Sequence, residues 1–200
     1  MKKFLNLQIK IKSYIKSIFY YVKNNEQKSD RKLNLNLGCG QIYRDGWINV
    51  DIDKSVRTDI CCDFIHLKNH FKTDTLDLIY MIHSISYLNL WESILFFEDA
   101  YELLKTGGVL ELEFPDIQKC SKIIIENSDN GNYLEAVRAI YAFDLNQIKN
   151  KEVYKPYAFG WSGLYMKETL HKIGFSQVDI LEPETHEKRN WRDTRIIAIK

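Results

Sequence analysis

Residues suited to binding a polar ligand recur between positions 38 and 116 of this sequence. A Gly38-Cys39-Gly40 turn is followed by single acids at Asp51 and Asp63, then by His83 and by Pro115-Asp116. Glycine lets a backbone approach a ligand closely and adopt positive φ. One carboxylate can accept two hydrogen bonds from a ribose diol, and a second can accept from the exocyclic amine of adenine. The series therefore predicts a site for an adenine nucleoside.

The sequence lacks the motifs that are typical of phosphate-binding loops and of metal sites. The sequence has no G-x-x-x-x-G-K-[ST] loop, and Gly40 is followed by Gln41-Ile42-Tyr43 where a dinucleotide fold would continue to a third glycine. The histidines and cysteines lack paired ligand spacing, so we expect no metal ion. Four cysteines without a C-x-x-C pair favour a reducing cytoplasm over a disulfide framework.

Each of these polar positions follows a stretch that is typical of a β-strand. Helical periodicity over residues 90–104 ends near Gly107-Gly108, which we expect to stop the helix, and a second helix is predicted over 167–173. Strands that alternate with helices predict a Rossmann-like, mostly parallel sheet with helices on both faces. Ligands bind such sheets outside the carboxyl ends of the strands. The seven predicted strands cover residues 33–37, 47–51, 58–62, 75–82, 109–114, 177–181 and 195–199.

The order and spacing of several short segments match a known family. LNLGCG at residues 35–40 looks like a first cofactor-binding motif, and GWINVD at 46–51 strengthens the match. The same order continues through Asp63-Phe64, residues 77–83 and 103–116. Together these segments resemble a bacterial GCG…GWxNxD subgroup of the class I S-adenosylmethionine-dependent methyltransferases, which is often associated with polysaccharide biosynthesis. The resemblance covers roughly residues 33–116 and 160–200.

The resemblance implies a seven-stranded domain over residues 32–200, with the last strand antiparallel and S-adenosylmethionine as cofactor. Methyl transfer depends mainly on positioning, with a base if the acceptor is a hydroxyl. His83 and Asp116 are the candidate catalytic residues; the alternatives are a structural histidine at the sheet edge and a helix cap. The residues implied to bind cofactor are Leu37, Gly38, Cys39, Gly40, Asp51, Ile52, Asp63, Phe64 and His83.

Residues 117–165 are predicted to form a helical, aromatic insert that binds the acceptor, a small molecule or a sugar precursor. Aromatic rings interleaved with lysines could stack on a sugar or hold an acidic group, and the alternative is a lid packed by its own aromatic residues. The aromatic residues concerned are Tyr133, Tyr141, Phe143, Tyr154, Tyr157, Phe159, Trp161 and Tyr165.

The N-terminal segment differs in charge from the rest of the chain. Residues 1–31 carry eight basic and two acidic side chains, a net charge of +6; since the whole chain is at +1, the remainder is at −5. Apolar residues over 4–23 recur at helical spacing, which predicts an amphipathic helix followed by a linker. It could pack on the domain, lie on an anionic membrane surface, or contact a partner such as a glycosyltransferase through residues 1–24. We expect a cytoplasmic protein that does not bind nucleic acid, peripheral to the inner face of the membrane in the second case.

One departure from the subgroup keeps a second function open. Ser86-Tyr87 stand where the subgroup usually has Glu-His. A non-catalytic member of the fold, acting as a nucleoside-binding or scaffold subunit, is therefore the alternative to an active methyltransferase. A nicotinamide oxidoreductase is a third hypothesis, and the absent third glycine and the second acid at Asp63 count against it.

Overall fold

A computed structural model describes residues 32–126, 132–143, 155–185 and 189–200. Seven strands form one sheet in the order β3-β2-β1-β4-β5-β7-β6. The strands are β1 Asn34–Leu37, β2 Ile48–Asp51, β3 Ile60–Cys61, β4 Leu76–Ile82, β5 Leu104–Pro115, β6 Gln177–Leu181 and β7 Asp193–Ile199. The helices are α1 Leu90–Leu103, α2 Ile117–Glu126, α3 Asn132–Tyr141 and α4 Gly163–Ile173, with 3₁₀ helices at Phe64–Asn69 and Ile85–Tyr87.

Strand direction determines which residues meet at one edge of the sheet. Strands β1 to β5 run parallel to their neighbours, whereas β7 is antiparallel to both β5 and β6. The carboxyl ends of β1 to β5 therefore lie along one edge, and β7 begins at that edge with Asp193 paired to Pro115. This mixed seven-stranded sheet, flanked by helices and with its last strand antiparallel, confirms the predicted fold class.

Alternating apolar residues hold the sheet against its helices. Leu35 and Leu37 of β1 are buried and belong to one continuous apolar core with Phe96, Phe97 and Ala100 of α1. Burying a side chain such as leucine contributes roughly 1.5–3 kcal/mol. A capping box starts α1, because the Asn89 side chain accepts from the backbone N–H of Glu92 and the Glu92 side chain accepts from that of Asn89. The strand ends are thus fixed by a rigid layer beneath them.

The connection between β1 and β2 is a loop held by side-chain hydrogen bonds. Residues 38–47, all of which the structure describes, contain turns and no helix. Two buried amides replace the helical hydrogen bonds: Asn49 bonds both the N–H and the C=O of Arg44, and Asn36 donates to the C=O of Ile42 and to Asn49. These side chains fix the loop on the sheet edge.

The prediction that Gly107-Gly108 stop α1 is wrong. The helix ends at Leu103 and β5 starts at the next residue, with Leu104 already extended. Gly107 has φ +77°, and a Cβ at Gly108 would lie 2.8 Å from the Lys105 carbonyl oxygen. The pairing of β4 with β5 shifts register here. The glycines therefore serve a bulge in β5.

The predicted last helix and last strand are present in the structure, but their first residues differ from the predicted ones. Helix α4 starts at Gly163, where the Ser162 side chain accepts from the Tyr165 N–H, and ends at Gly174 with φ +130° as expected. Strand β7 starts two residues earlier than predicted. The helix expected over 4–23, its linker and Tyr154 lie outside the described residues. In the described ranges, no helix combines the length and apolarity needed to cross a membrane.

Candidate functional site

The carboxylate of Asp51 joins the ends of β1 and β2. Its Oδ2 accepts from the backbone N–H of Gly40 at 2.9 Å, and its Oδ1 accepts from that of Asp53 at 2.9 Å. A carboxylate offers about four acceptor positions, so about two remain for a ligand. Because two backbone amides fix it, the half-buried carboxylate is oriented before any ligand arrives. This geometry suits recognition of a diol.

The two glycines of the turn have different roles. Gly38 has φ +64°, and a Cβ there would lie 2.0 Å from Ser84 Oγ and 3.3 Å from Phe64 Cζ. Gly40 has φ +49°, and a Cβ there would meet no described atom within 4 Å. Gly38 therefore lets the segment after β4 pack against the turn, whereas Gly40 leaves space open beside Asp51.

The expected adenine side combines one exposed apolar residue with one acid. Ile52 follows Asp51 and is 51% exposed. Asp63 begins the 3₁₀ helix, and its Oδ1 accepts from the Ile65 N–H at 3.3 Å. Phe64 is 8% exposed and its ring packs on Phe96, with the centroids 6.5 Å apart. Ile52 thus offers the more accessible apolar surface; contact of Phe64 with the cofactor stays a prediction.

Leu37 and Cys39 are both buried, so main-chain atoms are what they present at this edge. The Cys39 thiol lies 3.8 Å from the Arg57 carbonyl oxygen, to which it donates. Burial raises the pKa of this thiol, and the nearby Asp51 carboxylate adds to the effect. Cys39 therefore fills the turn and is a poor nucleophile.

His83 follows β4 in a left-handed conformation with φ +55°. Such backbone strain in a residue other than glycine is concentrated at functional sites. The His83 N–H donates to the Glu113 carbonyl at 2.7 Å, and its Nε2 lies 3.1 Å from Asp193 Oδ2. Arg192 donates to both oxygens of Asp193, from Nε at 2.6 Å and from Nη2 at 2.8 Å. The structure thus adds Asp193 and Arg192 to the predicted site.

The ionisation of Asp193 determines the proton position on His83. Burial alone would raise the pKa of Asp193, but hydrogen bonds from His83 and Arg192 outweigh it and hold the pKa at about 2. An ionised carboxylate only accepts hydrogen bonds. The proton between the two groups therefore lies on Nε2 of His83, which donates a hydrogen bond to the Asp193 carboxylate.

Asp116, the second candidate catalytic residue, is surrounded by donors. Its Oδ1 accepts from the N–H groups of Gln118 and Lys119 at 2.8 and 3.3 Å, and its Oδ2 accepts from the N–H of Gly163 and the hydroxyl of Thr194 at 2.9 and 3.0 Å. Four donors match the acceptor capacity of one carboxylate. These contacts describe a cap that ties α2 to α4 and β7, and a proton-accepting role would compete with all four.

One cluster has the atom types of a metal site. Potential ligand atoms of His83, Glu113 and Asp193 lie within 4.8 Å of one another. Other protein groups already bind two of these carboxylates. The N–H groups of Glu184 and Thr185 each donate to Glu113 Oε2 at 2.9 Å. Arg192 donates to both oxygens of Asp193. The absence of a metal remains a prediction.

With this geometry established, comparison with known proteins identifies the fold. No family model matches the sequence, and no curated protein matches it either. Among solved structures, an S-adenosylmethionine-dependent methyltransferase from Archaeoglobus fulgidus is 14% identical, with 93% of each chain covered and a TM-score of 0.56. One from Methanosarcina mazei is 14% identical over 88% of this chain and 95% of that chain, with a TM-score of 0.57.

A third similar structure contains the demethylated cofactor. Phosphoethanolamine N-methyltransferase 2 of Haemonchus contortus, in complex with phosphomonomethylethanolamine and S-adenosylhomocysteine, is 11% identical over 90% of this chain and 51% of that chain, with a TM-score of 0.51. The chain has the Rossmann-like fold of the S-adenosylmethionine-dependent methyltransferases. At these identities the likeness concerns the fold, so the activity rests on the site itself.

The described aromatic residues of segment 117–165 lie in two kinds of place: in the apolar core and at the carboxyl ends of the strands. Trp161 is fully buried against Phe97, with the ring centroids 5.5 Å apart. Tyr157 instead lies at the strand ends, where its hydroxyl donates to the His83 carbonyl at 3.5 Å and its ring packs edge-on against Tyr87 at 4.8 Å. Burial raises the pKa of Tyr157, so its hydroxyl stays protonated. Trp161 therefore fits the alternative of internal packing, and acceptor binding by Tyr157 stays a prediction.

Ser86-Tyr87 anchor residues 155–160, which we call the strap. The Ser86 carbonyl accepts from the N–H groups of Ala158 and Phe159 at 2.8 and 3.2 Å. The Lys155 ammonium lies 5.4 Å from the centre of the Tyr87 ring. Ser86-Tyr87 thus provide the contacts that hold the strap beside His83.

Asp193 should make the stability of the folded protein depend on acidity. Its pKa is depressed from 3.8 to about 2 on folding, so its contribution is present above pH ~4 and is lost as the pH falls from about 4 to about 2. The loss should amount to about 2 kcal/mol. Urea unfolding at pH 5, 3 and 2 should show the advantage of the wild type over Asp193→Asn shrinking toward low pH. A pH-independent difference would contradict the assignment.

Proposed function

We propose that this protein is an S-adenosylmethionine-dependent methyltransferase that acts on a small molecule or a sugar precursor. The observation that carries the proposal is the Asp51 carboxylate, held by the Gly40 N–H at the edge where β1 and β2 end. Open parallel sheets bind ligands at this edge. The fold shared with solved methyltransferases, one of which holds S-adenosylhomocysteine, supports the same cofactor.

The residues at this edge fit the nucleoside part of the cofactor. Asp51 has acceptor capacity left for the ribose hydroxyls, and the space beside Gly40 would be filled by a Cβ. Ile52 provides exposed apolar surface for adenine, and Asp63 can accept from the adenine amine. The main chain of Leu37 to Gly40 supplies close backbone contact.

The acceptor would bind on the His83 side of the same edge. When bound, the cofactor supplies an electrophilic methyl group on a sulfonium. The chain then has to orient the acceptor and take its proton, and His83 is the base that lies at this edge. Tyr87, Tyr157 and Lys155 form an aromatic and basic surface beside it. Such a surface suits a sugar that carries an acidic group.

A binding subunit without turnover is the second candidate. It is favoured by Ser86-Tyr87, because the Ser86 carbonyl and the Tyr87 ring are used to hold the strap. Cofactor binding without methyl transfer to hydroxyl, amine or carboxylate acceptors would support it. Transfer of a labelled methyl group from S-adenosylmethionine to a uronic acid or another sugar would support the methyltransferase. The cytoplasmic location, and contact of residues 1–24 with a membrane or a glycosyltransferase, remain predictions.

Calorimetric titration with S-adenosylmethionine and S-adenosylhomocysteine tests the cofactor site. Asp51→Ala should weaken binding by about 1–3 kcal/mol, or about 5- to 150-fold, since it removes the acceptor of the ribose hydroxyls. Asp53→Ala is the matched control, because it removes a neighbouring carboxylate but keeps the N–H that donates to Asp51. Equal affinities of the two folded variants would overturn the role of Asp51. Absence of binding to the folded wild type would overturn the proposed function.

A further inference from the structure

One face of the sheet carries apolar side chains that do not belong to the main core. That core joins α1 and α4 to the face of the sheet on which Leu35 lies. Because successive residues of a strand point to opposite faces, the neighbours of the core residues point the other way. Four of these neighbours are apolar and only half-buried, and we call them the strip: Leu78, Val109, Ile197 and Ile199.

Strand pairing makes the strip continuous. Leu78 of β4 pairs with Val109 of β5, and Val109 pairs with Ile199 of β7, two residues from Ile197. Paired residues point to the same face, and neighbouring strands lie about 4.8 Å apart, so these side chains adjoin one another. Helices α1 and α4 pack against each other on the opposite face. An apolar sheet face needs another element to bury it, so the strip requires a covering element of its own.

A buried acceptor at the end of the strip also lacks a donor. Asn34 of β1 pairs with Leu78 and points to the same face. Its Oδ1 is inaccessible to solvent, yet it meets no hydrogen-bond donor among the described residues. Leaving a buried acceptor without a hydrogen bond is costly. The covering element should therefore supply a donor as well as apolar side chains.

The N-terminal segment enters the sheet beside the strip. The Leu33 N–H donates to Asp77 Oδ2 at 2.7 Å, and the Leu33 carbonyl accepts from the Asp77 N–H at 2.9 Å, which fixes Leu33 next to Leu78. Residues 24–32 can extend over about 30 Å, and a helix over residues 4–23 would be about 30 Å long. The strip crosses three strands, or about 10 Å. The segment is therefore tethered within reach of the whole strip.

The sequence of this segment matches the strip in polarity and in charge. Residues 1–31 have a net charge of +6 and the remainder of the chain has −5, which favours their association. Acidic residues border the strip, since Glu111 and Asp179 both pair in register with Ile197. The apolar residues of the segment recur at the spacing of one helix face: Phe4, Leu7, Ile11, Ile15, Ile18 and Val22.

We propose that residues 4–23 form an amphipathic helix that covers the strip of the same chain. Its apolar side packs on the strip, and its lysines lie toward Glu111 and Asp179. A polar side chain of the segment donates to Asn34 Oδ1. This role is independent of methyl transfer, and it makes the apolar side of the helix unavailable to a membrane or to another protein.

Hydrogen exchange of the whole chain tests the proposal without any variant. Helices in proteins owe most of their stability to packing of an amphipathic face, so residues 4–23 should be protected from exchange. The protection should be the same when the protein is diluted. Unprotected residues 4–23 would overturn the proposal. Protection that falls on dilution would also overturn it, because the covered surface would then belong to a second copy.

Thiol labelling locates the covered surface. Val109→Cys places a thiol in the strip, and Leu95→Cys places one on α1, where Leu95 is 52% exposed. Both variants also carry Cys61→Ser, because Cys61 is exposed. Ile11→Asp/Ile15→Asp should raise the rate of maleimide labelling at position 109 at least about 10-fold, since labelling of a covered site requires local opening. It should leave the rate at position 95 unchanged.

Ser13→Asp/Ser17→Asp is the matched control. It adds the same two charges at the same spacing, but about 200° around the helix from Ile11 and Ile15, so the rate at position 109 should stay near that of the unchanged segment. Equal rates at position 109 with all three segments, or equal increases at positions 95 and 109, would overturn the proposal.

Vesicles of phosphatidylcholine and phosphatidylserine test the membrane as the other occupant. The unchanged segment should leave position 109 slow to label in their presence. If the protein instead binds the vesicles and position 109 is labelled as fast as in Ile11→Asp/Ile15→Asp, the segment covers a membrane surface and the proposal is overturned.

Discussion

Gly38→Ala is expected to lower the free energy of unfolding by about 2–5 kcal/mol. The residue has φ +64°, which costs an L-residue roughly 1–2 kcal/mol. The new Cβ would also lie 2.0 Å from Ser84 Oγ and 2.6 Å from Ser84 Cβ, and such overpacking typically costs 1–3 kcal/mol. Urea unfolding of the wild type and the variant measures the difference.

Gly40→Ala is the matched control for this prediction. Its φ of +49° carries the same kind of backbone cost, but its Cβ would meet no described atom within 4 Å. Gly40→Ala should lower the free energy of unfolding by only about 1–2 kcal/mol. It should instead weaken S-adenosylhomocysteine binding, because the Cβ enters the space beside Asp51. Ser84→Gly should restore part of the stability of Gly38→Ala. Equal losses at the two glycines would show that crowding by Ser84 is unimportant.

Arg192→Met is expected to lower the free energy of unfolding by about 3–5 kcal/mol. Arg192 is 5% exposed and Asp193 is 0% exposed. Removing one partner of a buried ion pair leaves the other charge uncompensated, which is strongly destabilising. Chemical denaturation at pH 7 measures the loss.

A double-mutant cycle shows whether this loss comes from the pair. The combined variant Arg192→Met/Asp193→Leu should lose clearly less stability than the sum of the two single variants, because it leaves no unpaired charge. Glu111→Gln combined with Arg192→Met is the control pair and should be close to additive. Additive losses at residues 192 and 193 would contradict the structural interpretation of the ion pair.

The sequence was sufficient to predict that Gly40 and Asp51 meet at one edge of the sheet, because its signals there are local. Alternating leucines before Gly38 and an apolar run before Asp51 locate two strand ends. The rule that ligands bind at the carboxyl ends of parallel strands then brings these residues together. The structure joins them directly, through the hydrogen bond from Gly40 to Asp51.

The contact of His83 with Asp193 could not be predicted because the two residues are distant in sequence. Asp193 lies 110 residues from His83, and the two meet only because β7 runs antiparallel between β5 and β6. Adjacent opposite charges at Arg192 and Asp193 precede an apolar run, but no periodicity in the sequence indicates where β7 begins. The bulge at Gly107 was missed for a related reason, since a glycine pair after a helix has the same local pattern whether it caps the helix or bends a strand.

The strand order also has a consequence for the folding pathway. Strand β7 lies between β5 and β6, so β6 cannot join the sheet before the later strand has inserted. Contacts of such high sequence separation form slowly, because loop-closure entropy is lost before they contribute. An intermediate that contained only β1 to β5 would already hold Asp51 against the glycine turn, yet His83 would lack its contact with Asp193. The contact between Gly40 and Asp51 would therefore form earlier in folding than the contact between His83 and Asp193.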